Sequence, residues 1–63
     1  MKIRASKLKR GYRILRNNKL YKVVFIFDRG EHISVHACNV DDSRDWFMLK
    51  YAPNEELTIA DTL

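Results

Sequence analysis

The sequence predicts an all-β fold, a small antiparallel barrel of five strands, from three observations. Its apolar residues fall into short β-branched and aromatic runs. The stretches between those runs hold turn formers, Asn17-Asn18, Asp28-Arg29-Gly30 and Asp41-Asp42-Ser43. With only 63 residues, closing a sheet on itself is the way to leave no exposed strand edges.

Residues 20–27, Leu-Tyr-Lys-Val-Val-Phe-Ile-Phe, form the strongest strand run, too short for a confident helix. Residues 12–16, 31–38 and Trp46–Tyr51 read as strands by the same criteria, with 57–60 a fifth and 2–5 a short edge strand. Asn17-Asn18 suits a two-residue hairpin turn because asparagine tolerates a positive φ. That turn sets Tyr12 opposite Val23, Ile14 opposite Tyr21 and Arg13 opposite Lys22.

The turn at Asp28-Arg29-Gly30 is decided by hydrophobic pattern, since a one-residue slip exchanges the faces of a strand. A three-residue loop, with Gly30 in the left-handed position, pairs Phe25 with Ile33, Val23 with Val35 and Tyr21 with Ala37. Phe47, Leu49 and Tyr51 join that face across the loop 39–45. The expected core is Ile3, Leu8, Tyr12, Ile14, Tyr21, Val23, Phe25, Ile33, Val35, Ala37, Phe47, Leu49, Tyr51, Leu57 and Ile59.

The run Ala5-Ser6-Lys7-Leu8-Lys9-Arg10-Gly11-Tyr12-Arg13-Ile14, a tight turn, Tyr21-Lys22-Val23, and later Leu49-Lys50-Tyr51-Ala52-Pro53-Asn54-Glu55-Glu56-Leu57 resembles the small SH3-like barrels of translation factors. The N-terminal domain of elongation factor P is similar in outline. The resemblance implies an SH3-like barrel and a tendency toward nucleic-acid or ribonucleoprotein binding. It implies no activity: Tyr12 stands where an aspartate usually follows the glycine, and the 28–30 tip has no lysine for the modified-lysine role.

One domain spanning residues 1–63 is expected at this length, with little core to spare. A pocket for a small-molecule substrate is hard to build beside so small a core, so the chain reads as a binding module and not an enzyme. The single cysteine, Cys38, makes no internal disulfide, which fits a reducing compartment, and the cytoplasm is the expected location. The longest apolar run, five residues from Val23 to Phe27, is far short of the ~20 needed to cross a bilayer. No membrane partner and no cofactor are expected.

Charge supplies the functional reading. Nine of the twelve basic residues lie in the first 22 positions, and no acid precedes Asp28, so a net charge of +4 conceals a strongly dipolar chain. Such a basic end suits a polyanion. Arg13 opposite Lys22, with His36 opposite Lys22 on the next strand, makes a basic stripe on the outer face; like charges so placed disfavour the sheet unless an anion neutralises them. Lys7, Lys9, Arg10, Arg16 and Lys19 surround the stripe, and Trp46, with Tyr12 if it tips outward, could stack on bases. The expectation is RNA or DNA backbone binding; a solvated surface that keeps the barrel soluble is the plainer alternative. A different alternative rests on Leu15, Leu20, Val24, Ile26 and Met48, also on the outer face with Trp46: an apolar patch for a protein partner or a second copy.

His32, His36 and Cys38 lie on one side of their strand, but at ~3.3 Å per residue His32 is about 13 Å from His36, so no metal site is expected. Cys38 lacks a base and an orienting third group for nucleophilic work. Asp41, Asp42 and Asp45 lack the glycine and closing glutamate of a calcium loop and read as turn residues.

Overall fold

The computed structural model describes residues 1–60 of the chain. The fold is all-β, with six strands among the described residues: β1 (Lys2–Arg4), β2 (Arg13–Arg16), β3 (Lys19–Asp28), β4 (Ile33–Asn39), β5 (Trp46–Tyr51) and β6 (Glu56–Thr58), and a 3-10 turn at Ala5–Lys7. A four-stranded antiparallel sheet runs β2-β3-β4-β5, and β1 pairs with β6 in a second, two-stranded one. The sheets are joined by a bridge between Ile14 and Ile59 and by the Ala60 amide, which donates to the Arg13 carbonyl at 2.9 Å.

The short edge strand expected at residues 2–5 is present as β1, and it finds a full partner in β6: Ile3 faces Leu57 and Arg4 faces Glu56. The ladder extends through the Ala5 amide to the Glu55 carbonyl and the Ser6 amide to the Pro53 carbonyl. Among the described residues no ladder joins β5 to β1, so closure of the barrel by strand pairing is not observed. What the chain shares with SH3-like barrels is the small antiparallel all-β plan.

The first hairpin has the expected register. Arg13 pairs with Lys22 and Ile14 with Tyr21, across a turn whose Asn17 and Asn18 have φ of 52° and 62°. Upstream, Gly11 (φ 93°) and Tyr12 both oppose Val23: the Gly11 amide donates to the Val23 carbonyl and the Val23 amide to the Tyr12 carbonyl. Two residues against one make a bulge, with glycine taking the left-handed conformation that a side chain would strain.

The second hairpin departs from expectation in two linked ways. First, Asp28 pairs with Ile33 and the Arg29 amide donates to the His32 carbonyl, which leaves Gly30-Glu31 at the tip. Gly30 (φ 84°) fills a central turn position that needs positive φ, and Asp28 Oδ1 accepts from the Gly30 amide at 2.8 Å. Second, the register shifts between Val23, opposite Ala37, and Phe25, opposite His36, leaving Val24 without a cross-strand partner. The expected pairs Phe25–Ile33, Val23–Val35, Tyr21–Ala37 and Lys22–His36 are therefore replaced by Phe25–His36, Val23–Ala37, Tyr21–Asn39 and Lys22–Cys38.

The bulge reverses the faces of the strand beyond it. Phe25, expected in the core, is 48% exposed, and Phe27 is 54% exposed, whereas Ile26, expected outside, packs against the core. Before the bulge the true register differs from the expected one by an even number of residues, so Tyr21, Val23, Ile33, Val35 and Ala37 are buried as expected. The centre is Val23, Ile33 and Val35, joined by Ala5, Leu8, Ile14, Tyr51 and Ile59. Tyr12 packs against this cluster and does not tip outward.

Candidate nucleic-acid interface

Cross-strand partners share a face, which defines the outer side of the four-stranded sheet. Arg13, Lys22, Cys38 and Trp46 stand in one row across the four strands. Phe25, His36 and Met48 form the next, and Phe27, Ser34 and Lys50 the one beyond; Leu15 and Leu20 pair at the near end. Three of these side chains are cationic at neutral pH, and none is a carboxylate.

Arg13 and Lys22 stand opposite each other as the sequence suggests, and neither forms an ion pair among the described residues. The third member of the expected stripe is not His36, which lies one row away beside Phe25. Lys50, which the charge reading passed over, lies on the same face, and strand alternation from Trp46 and Met48 was the signal for it. Arg10, in the turn before β2, extends its guanidinium over the Phe25 ring, 5.8 Å from the centroid. Arg10 and Lys22 also line a common open depression with Gly11, Val23 and Val24. Lys7 and Lys9 are exposed ahead of it.

Arg16 and Lys19 are placed elsewhere. They pair with each other in the same alternation as buried Ile14 and Tyr21, so they stand at the end of the inner face. Arg16 lies over the Phe47 ring at 4.7 Å. Burial is the main influence on Tyr51, raising its hydroxyl pKa, and the neighbouring Arg16 partly opposes the rise. Lys19 Nζ lies 3.9 Å from Asp45 Oδ2. The same carboxylate oxygen accepts from the Tyr21 hydroxyl at 2.8 Å and from Asn39 Nδ2 at 3.0 Å. Those two bonds, Asn39 first, hold the Asp45 carboxyl below the usual carboxylate range, while the bond to Asp45 raises the Tyr21 pKa. Lys19 thus belongs to the packing of the 40–45 loop and Arg16 to the inner side of β5, rather than to the outer face.

The aromatic content of the outer face exceeds what the sequence reading assigned to it. Trp46 is 55% exposed as expected, but Phe25 and Phe27 join it because of the Val24 bulge, which carries no local signature in the sequence. Ring centroids follow one another from Phe27 to Phe25 at 6.2 Å, Phe25 to His36 at 6.2 Å and His36 to Trp46 at 5.1 Å. Of the residues expected to form an apolar interface, Met48 and Leu15 are exposed, Leu20 and Val24 are half-buried, and Ile26 faces the core.

The remaining polar side chains act locally. Asp42 Oδ1 accepts from the Arg44 amide and Nε, Asn39 Oδ1 accepts from the Asp41 amide, and Cys38 Sγ contacts the Ser43 carbonyl at 3.6 Å. Among the described residues no group of three or more His, Cys, Asp or Glu comes together as metal ligands, and no helix is long and apolar enough to cross a membrane. No protein-family model matches the chain, and no curated protein or solved structure matches it either.

Proposed function

We propose that this protein is a non-enzymatic binding module that holds RNA or DNA through backbone phosphates on the outer face of the β2-β3-β4-β5 sheet. The observation that carries the reading is the opposition of Arg13 and Lys22 on a face where, among the described residues, the strand rows hold no carboxylate. Like charges directly opposed across a sheet are destabilising, and a polyanion lying over them removes that cost. Arg10 and Lys50 flank the pair, and Lys7 and Lys9 extend it; Arg16 and Lys19, turned to the other side, contribute only through their long-range field.

If four to six phosphates are neutralised, log affinity falls against log salt with a slope of roughly −3 to −5.5. Fluorescence anisotropy of a labelled oligonucleotide between 50 and 200 mM salt measures it. Arg13→Glu combined with Lys22→Glu is expected to weaken binding at every salt concentration and to flatten the slope by about two. A salt-independent affinity, or no binding at low salt, removes the reading.

A second reading, a protein-interaction module or homodimer, is favoured by the exposure of Leu15, Phe25, Phe27 and Met48 on the same face. It predicts an association that survives high salt and the loss of Arg13 and Lys22 charge. Its test is sedimentation of the double charge-reversal variant.

A further inference from the structure

We infer that Phe27, Phe25, His36 and Trp46 form a stacking platform for the bases of a single-stranded nucleic acid, an inference that rests on the phosphate-binding reading above and narrows its ligand. The four rings are contiguous, with centroids 6.2, 6.2 and 5.1 Å apart. They lie on a face where Arg13, Lys22 and Lys50 supply cations. Arg10 is held over Phe25, the position from which a guanidinium can pair with a phosphate while its partner ring meets a base. Exposed aromatic side chains beside a cationic track are the physical requirement for sequence-tolerant single-strand binding, because every base has a π-face and every nucleotide a phosphate.

The spacing selects the single strand. In a duplex the bases of one strand follow at about 3.4 Å and their faces are covered by their neighbours. Rings 5.1 to 6.2 Å apart on an open sheet can each receive a base only from a strand pulled out of that stack. The charges argue against a protein occupant: lysine is depleted at the centre of protein interfaces, whereas Lys22 stands in a row with Trp46.

Trp46 is the only tryptophan, so its emission reports on the platform without a label. The protein is titrated at low salt with a mixed-sequence single-stranded octanucleotide, the same sequence as a duplex, and an abasic oligonucleotide of equal charge. Saturable quenching by the single strand is expected, with the duplex and the abasic strand at least tenfold weaker. Phe25→Ala should weaken single-strand binding about 5- to 150-fold, with an unchanged circular dichroism spectrum because the ring is exposed. If Phe25→Ala and the abasic strand leave affinity unchanged while Arg13→Glu with Lys22→Glu abolishes it, stacking is refuted and phosphate binding stands. If no oligonucleotide binds, both fall. A species of twice the 7.5 kDa chain mass in which Trp46 is shielded before any oligonucleotide is added assigns the platform to a second copy and overturns the inference.

Discussion

At the scale of single residues, Asp45 does more than a loop carboxylate usually does. It accepts hydrogen bonds from Tyr21 and Asn39 and stands beside Lys19, so one oxygen ties the 40–45 loop to β3 and β4. Its lowered pKa fixes the sign of a pH effect. The stabilisation is present above the ordinary aspartate value of about 3.9 and is lost as pH falls through the lower value in the folded protein. Asp45→Asn should therefore reduce stability at neutral pH and make the acid limb of a Tm-against-pH curve shallower. A curve parallel to that of the parent protein would show that the link contributes nothing. Tyr21 has the opposite sense: its raised pKa means stability retained below about 10 and lost as pH climbs through the folded value. The sequence marked Asp45 as a turn former but not as this acceptor, because the bond joins residues 24 positions apart through a register that only the assembled sheet defines.

At the scale of the element, β3 decides the character of the outer face. Its Val-Val-Phe-Ile-Phe run reads equally well with either set of side chains inward, and the choice rests on Val24 having no partner. Removing the bulge should leave the faces as they are, since Phe25 would then follow Val23 in plain alternation and remain opposite His36. A Val24 deletion is expected to fold and keep Phe25 exposed, whereas Ile26→Lys, which drives a charge into the core, should unfold the domain. Thermal melts of the two variants check this: an unfolded Val24 deletion beside a stable Ile26→Lys would mean that the bulge, not the inward Ile26, holds the strand. The first hairpin needed no such arbitration, because Asn17 and Asn18 supply the two positive φ values that its turn requires.

At the scale of the molecule, the two sheets meet where Ile59 bridges Ile14, and both side chains are buried. A domain this short has only a few kcal/mol of stability, while a buried Ile→Ala substitution costs about 2–5 kcal/mol. Ile59→Ala should therefore bring the whole chain close to its unfolding midpoint, with a single urea transition at much lower concentration. A variant as stable as the parent would mean that β1 and β6 fold and persist apart from the main sheet. Charge acts on the same scale but differently. The basic N-terminal third needs no particular fold to attract a polyanion, whereas a contiguous row of cations and rings does.

The strand class, the first hairpin and its opposed cations, the inward placing of Tyr21, Val23, Ile33, Val35 and Ala37 and the basic bias of residues 1–22 were legible in the chain, because alternation, turn chemistry and charge are local properties. The placing of Arg16 and Lys19 on the opposite side from Arg13 and Lys22 already followed from alternation in the first hairpin, whereas the outward turn of Phe25 and Phe27 and the pairing of residues 2–4 with 56–58 were settled by packing alone. Those outcomes depend on how distant segments share one small core. A bulge that adjusts one strand by a single residue is selected by the packing of all of them and leaves no mark of its own in the chain.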